Sequence, residues 1–188
     1  VPPTLVSFAV DVAKQQDIVT PELKKAGNRL IWIRLPKDEY DLPDYGQTMD
    51  LYERLHQDMQ AGRVVSAYAL DRHGIAAAVS KMAFGNKKGV KIEHDLDPRD
   101  FFAPGFGDLI CEVADGKVGE LACTYRVIGE VTDKDVFEYG SVSIPIDEAL
   151  DAWTGTLENV FKTKGTDEKA PVGSGLYQSD SVYVCRHK

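Results

Sequence analysis

With 30 acidic against 22 basic side chains and a net charge of −8, this 188-residue chain lacks the basic footprint of a nucleic-acid-binding protein. Its 43% hydrophobic and 28% charged content is ordinary for a globular protein, one domain or one domain with appendages. No apolar run reaches the roughly 18 to 20 residues that cross a bilayer, so no membrane partner is expected.

The chain begins Val1-Pro2-Pro3-Thr4, with no initiator Met, no basic n-region and no apolar h-region. It reads as a piece of something longer rather than as a signal peptide or a natural start. Leu5 to Val10 reads as a strand. Val19-Thr20-Pro21-Glu22-Leu23 is a turn, because the proline holds Thr20 extended. Gly27-Asn28 turns the chain into a strand from Arg29 to Leu35, whose near-continuous apolarity predicts burial on both faces. Residues 37 to 47 are acidic, contain Pro43 and Gly46, and form a loop.

Thr48 is placed to cap a helix in which Met49, Tyr52, Leu55 and Met59 form a core-facing stripe, ended by Gly62. Val64 to Leu70 is a strand. Gly74 to Phe84 is an alanine-rich helix with Ile75, Val79 and Met82 on one face and Gly85 at its end. Its small side chains permit close approach to a sheet. Val90 to Ile92 follows as a strand. Asp97-Pro98 opens a helical turn anchored by Phe101 and Phe102. Asp108 to Val113 and Tyr125 to Val131 are strands, and Val136 to Tyr139 with Ser141 to Ile144 make a hairpin about Gly140. After Pro145, Leu150, Trp153, Leu157 and Phe161 predict an amphipathic helix to about Lys162. Lys164 to Ser174 has linker composition, and Leu176 to Arg186 ends in an alternating strand pattern. The count predicts an α+β fold, a mixed sheet flanked by helices. Strand–helix alternation between Arg29 and Val90 leaves a parallel component open.

Motif chemistry is sparse. There is no Gly-x-Ser-x-Gly, Walker loop, HExxH or GxGxxG. The strongest local candidate is Asp71-Arg72-His73-Gly74, where a strand ends and a helix begins. Such ends are common ligand positions in α/β sheets, and Arg72 and His73 can donate to a phosphate. The plainer reading has Asp71 capping the helix and the other two solvated. Lys87 and Lys88, between Gly85 and Gly89, are a second candidate for phosphate contact, against a solvated turn. The acidic stretch Asp38 to Asp50 carries oxygen ligands but no EF-hand spacing, and His94-Asp95 with Asp97 is weaker still. Cys111, Cys123 and Cys185 form no CxxC and no ligand spacing with His56, His73, His94 or His187. Reduced buried thiols and a cytoplasmic setting are expected, with no metal site assigned.

The run Ala76-Ala77-Ala78-Val79-Ser80-Lys81-Met82-Ala83-Phe84-Gly85-Asn86-Lys87-Lys88-Gly89-Val90 resembles the C-terminal half-domain of the aminoimidazole ribonucleotide synthetase superfamily. Within it, the likeness is to the phosphoribosylformylglycinamidine synthases, the glutamine-dependent enzymes of purine synthesis. Pro3 to Ala9 resembles the strand that enters this domain. Val19 to Lys24 through Gly27 to Ile31, and Trp153 to Phe161, resemble two further passages.

The resemblance implies a mainly antiparallel sheet flanked by helices. Residues 1–163 would be the C-terminal domain of the second synthetase half, with 1–28 its lead-in strand and linker. Residues 164–188 would be a linker toward a glutaminase domain. The parent activity implied converts formylglycinamide ribonucleotide, glutamine and ATP to the amidine, ADP, phosphate and glutamate, with magnesium. Implied partners are the N-terminal synthetase domain and the glutaminase domain of the same polypeptide; the isolated piece is expected to be inactive, and a homodimer of it is an open alternative. Alternatives are a selenophosphate synthetase or thiamine monophosphate kinase type of domain, or a non-catalytic assembly domain.

Family members commonly read His-Asp-x-Ser-Asp-Gly-Gly-Leu before the helix, with the first Asp on magnesium and the Ser at the phosphates. Here the matching residues are Tyr68-Ala69-Leu70-Asp71-Arg72-His73-Gly74-Ile75. Only Gly74 is identical, and Ala69 cannot ligate a metal.

Overall fold

The computed structural model describes residues 3–93, 95–160 and 162. At the centre lies β1 (Arg29–Ile33), the apolar run read from the sequence. Successive strand side chains point to opposite faces, so Leu30 and Trp32 enter one core while Ile31 and Ile33 enter another. All four are buried. β4 (Leu109–Val113) and β5 (Arg126–Thr132) flank β1, both antiparallel to it.

β2 (Val64–Ala69) extends the sheet beyond β4, while β3 (Gly89–Ile92), β6 (Val136–Tyr139) and β7 (Val142–Pro145) extend it beyond β5. The seven strands run in the order β2-β4-β1-β5-β3-β6-β7. Every pair is antiparallel except β3 with β6. The architecture is therefore α+β with a mixed, mainly antiparallel sheet. Strands β1, β2 and β3 do not pair with one another, because β4 and β5 insert between them.

Helix α2 (Gly74–Asn86) buries Ile75, Val79 and Met82, as its pattern predicts, on the face that carries Leu30, Trp32 and Ile110. Helix α1 (Tyr45–Gln60) covers the other face with Leu51 and Leu55. Two expectations for α1 are corrected. Its cap is Asp44, whose carboxylate accepts from the Gln47 N–H at 3.0 Å, so Thr48 lies inside the helix. Of the predicted stripe, Leu55 is buried and Tyr52 and Met59 pack half-buried against the same core, but Met49 is 70% exposed, and Leu51 and Asp58 are buried in addition. A buried carboxylate carries no signal in an apolar-periodicity reading.

α2 runs past Gly85 to Asn86 and is capped by Lys87 in the left-handed conformation. α3 (Pro98–Phe102) is the short turn expected after Asp97. Phe101 stacks on Tyr139 at 5.4 Å between ring centres, while Phe102 is exposed and meets Phe101 edge-on at 5.1 Å. α4 (Ile146–Thr154) is shorter than predicted and gives way to a single tight turn at Gly155–Leu157. Trp153 stacks on Phe84 from α2. Leu5–Val10 forms no strand, because no described strand lies alongside to pair with its backbone. Cys111 and Cys123 are buried free thiols. The expectations for Phe161, the 164–174 linker, the 176–186 strand and Cys185 lie outside the described residues.

Candidate site at the turn between β2 and α2

Asp71, Arg72, His73 and Gly74 form the turn at the C-terminal end of β2. The backbone fixes it first. The Asp71 carbonyl accepts from the Gly74 N–H at 3.3 Å and from the Gly105 N–H at 3.2 Å. Gly74 has φ +69, and a Cβ on it would stand 2.5 Å from the Ala103 carbonyl oxygen and 3.0 Å from that of Phe101. Only glycine lets the end of α3 approach so closely. This gives a structural reason for Gly74.

The side chains then form a small exposed polar cluster. Asp71 Oδ1 accepts from the His73 backbone N–H at 2.7 Å and lies 3.2 Å from His73 Nδ1. Arg72 Nε donates to His73 Nε2 at 3.2 Å. These contacts together fit the neutral imidazole with its proton on Nδ1. Lys81, two turns along α2, brings Nζ to 3.7 Å from Asp71 Oδ2 and to 5.6 Å from the Tyr68 ring centre. The His73 N–H bond, helped by the Lys81 charge, holds the Asp71 carboxyl below its ordinary range. Interaction with Tyr68, then the Asp71 charge, raises Lys81. Asp71 does not cap α2, since its partner is the His73 N–H before the helix starts. Tyr68 and Lys81 were not singled out in the sequence, where nothing marks a lysine inside an alanine helix as a partner of the turn.

Lys87 and Lys88 sit elsewhere. The length of α2 places them about 20 Å from the turn. Lys87 Nζ pairs with Asp147 at 2.8 Å, which raises its pKa, and Lys88 Nζ pairs with Asp133 at 2.7 Å. The acidic stretch is likewise spent locally. Asp38 accepts from the Tyr40 and Leu42 N–H groups, Asp41 pairs with Lys37, Asp44 caps α1 and Asp50 pairs with Arg54. Asp95 faces Arg126 at 3.6 Å and Asp97 caps α3, while His94 lies outside the described residues.

Magnesium asks for near-octahedral oxygen ligands, usually carboxylates and waters. The turn supplies one carboxylate, already engaged by His73 and Lys81, and Ala69 stands where the resemblance expects the ligand. The residues present do not fit the metal. Among the described residues, no group of three or more His, Cys, Asp or Glu stands together as a metal site.

Three carboxylates the sequence reading missed do organised work in the interior. Glu112 on β4 is fully buried and accepts from the Lys24 N–H (2.8 Å), the Lys25 N–H (3.0 Å) and Asn28 Nδ2 (2.7 Å). It fixes the segment that leads into β1. Asp108 accepts from Trp32 Nε1 at 2.9 Å and the Leu35 N–H at 2.8 Å. Asp58 accepts from Arg63 Nε at 2.8 Å and from the Ala122 and Cys123 N–H groups. Burial pushes the Asp58 carboxyl up, but these donors outweigh it and hold it below the ordinary range. Burial, then the bond to Asp58, pushes the Cys123 thiol up to about 12. A lone charge inside the apolar run Leu109-Ile110-Cys111-Glu112-Val113 was the available signal for Glu112.

No family model matches the chain. A curated relative, the phosphoribosylformylglycinamidine synthase subunit PurL of Sulfurovum sp., is 25% identical over 186 residues, which is 85% of this chain and 25% of that protein. Phosphoribosylformylglycinamidine synthase II of Thermotoga maritima superposes with a TM-score of 0.59 at 15% identity, over 72% of this chain and 28% of that one. The fold is that of an aminoimidazole ribonucleotide synthetase-like domain. Escherichia coli HypE, a hydrogenase maturation protein, shares it at TM-score 0.50 and 16% identity, covering 70% of this chain and 53% of HypE. The chain thus spans about a quarter of the PurL relative it matches. No described helix is long and apolar enough to cross a membrane.

Proposed function

We propose that this domain serves in a cytoplasmic C–N ligase that uses ATP and glutamine to convert formylglycinamide ribonucleotide to the amidine, the activity of phosphoribosylformylglycinamidine synthase. The observation that carries the reading is the PurL similarity over 85% of the chain, joined to the shared fold. T. maritima PurL is known in complex with ATP, which supports nucleotide chemistry in the parent. In this reading the N-terminal synthetase domain and a glutaminase domain are the working partners, and residues 164–188 lead toward the glutaminase. The domain contributes scaffold and substrate-facing surface but no magnesium ligands, because its turn carries Ala69 and a neutralised Asp71. It is inactive alone.

The test is complementation of a purine auxotroph lacking this ligase by the complete gene that encodes the chain. Growth without purine is expected, and no growth despite expression overturns the reading. A domain of the selenophosphate synthetase or thiamine monophosphate kinase type, or a purely assembling domain, then takes its place.

A further inference from the structure

Where β1 ends, one cation is left over. Arg34 follows that strand, and its guanidinium carbon stands 4.7 Å over the centre of the Trp32 ring. The ring is a fixed platform, since Trp32 is 5% exposed and its Nε1 donates to Asp108. A guanidinium held on a ring face keeps its N–H donors for other partners. Arg29, Arg54, Arg63 and Arg126 all pair with carboxylates. Among the described residues Arg34 has no carboxylate or carbonyl partner.

Arg34 lines a half-open cleft of about 240 Å³ beside α1, together with Gln47, Asp50, Leu51, Arg54 and Thr124. Donors outnumber acceptors in this lining. Asp50 Oδ2 pairs with Arg54 Nη2 at 2.8 Å, which engages one nitrogen of that guanidinium. The Thr124 hydroxyl has no partner among the described residues. Two guanidinium groups against one carboxylate leave the lining net positive, on a chain of net charge −8. The other carboxylates of the stretch are committed to their own loop. Asp38 and Asp44 accept from backbone N–H groups, and Asp41 pairs with Lys37.

Unmatched donors around a cleft fit a ligand that brings acceptors. Guanidinium forks match the oxygens of phosphate and carboxylate groups. Two forks and a hydroxyl exceed what the two oxygens of a carboxylate can use, and they suit the three free oxygens of a phosphate monoester. We propose that this cleft is a phosphate-monoester site, with Arg34 and Arg54 as its charged donors and Thr124 as its neutral one. Trp32 sets Arg34 in place before binding, which lowers the ordering cost. Asp50 competes with the ligand for Arg54 and keeps the site weak. The site shares no residue with the turn at Asp71, and the inference does not depend on the ligase reading.

An amide NMR titration of the full chain with inorganic phosphate, at ionic strength held constant with chloride, tests it. Saturable shifts are expected at Arg34, Arg54 and Thr124 in the millimolar range, with acetate at least about tenfold weaker. Arg34→Gln and Arg54→Gln should each weaken phosphate about tenfold or more while the rest of the spectrum stays native. Asp50→Asn, which frees Arg54, should tighten it roughly threefold. Shifts that never saturate, or that chloride alone reproduces, overturn the proposal. Acetate binding as tight as phosphate also overturns it, as does phosphate binding that survives both glutamine variants or weakens in Asp50→Asn.

Discussion

The turn at Asp71 and the clamp at Glu112 are both built on carboxylates, and they behave in opposite ways. Glu112 is fully buried with three donors on its two oxygens, and through them it ties residues 24–28 to the central sheet. Asp71 is exposed, bonded to its own near neighbours and partly neutralised by Lys81. A buried carboxylate persists only when its bonds are complete, because an unpaired one would cost far more than it contributes. An exposed one is free to be exchanged. The comparison teaches that the charges which hold this fold are hidden in strands and helix faces. The charges at the turn between β2 and α2 hold little.

The largest effect that sharpens this contrast is expected at Glu112. Replacing it with leucine strands the Lys24 and Lys25 N–H groups and the Asn28 amide, and should cost about 4 kcal/mol or more in urea unfolding. A loss below about 1 kcal/mol would break the claim that Glu112 is a clamp. Next comes Gly74→Ala, which forces a left-handed residue against the Ala103 carbonyl and should cost roughly 3 kcal/mol. That would show the turn matters through its backbone rather than its charge.

Asp58→Asn should cost about 2 kcal/mol, since the amide cannot accept all the bonds the carboxylate does. Asp58 also carries a pH signature. Its folded pKa is depressed, so its contribution is present above the ordinary carboxylate value of 3.8 and is lost as pH falls through the folded value. Urea midpoints should therefore fall more steeply on acidification in the wild type than in Asp58→Asn. Equal slopes would contradict the assignment. The smallest effect is expected for Asp71→Ala, which should leave the melting temperature unchanged within error. A clear drop would give Asp71 a structural role denied to it here.

Much of the fold was legible because its signals are apolar. The run at Leu30–Ile33 announced a strand buried on both faces, and Ile75, Val79 and Met82 announced the core side of α2. What was not legible depended on polar residues in apolar places. Asp58 occupies a buried position of α1 beside Leu55, Tyr52 and Met59, and a charged residue there carries no apolar signal. Glu112 hides in a strand whose other residues look sufficient by themselves. Leu5–Val10 has the composition of a strand but no described partner, and composition cannot reveal where a partner lies. Asp71, Arg72, His73 and Gly74 were found through the strand-to-helix junction, and the structure brings them together with Lys81 and Tyr68. Lys87 and Lys88 were found through their glycines, and the structure pairs them with Asp147 and Asp133 at the other end of α2.

The central claim is that the turn between β2 and α2 is held by its backbone and supplies no magnesium site. The most direct measurement is an amide NMR titration of the full chain with magnesium and ATP, following the resonances of Ala69 to Gly74. The account predicts no magnesium-dependent shift at these residues. A saturable shift that needs magnesium and disappears in Asp71→Ala would contradict it.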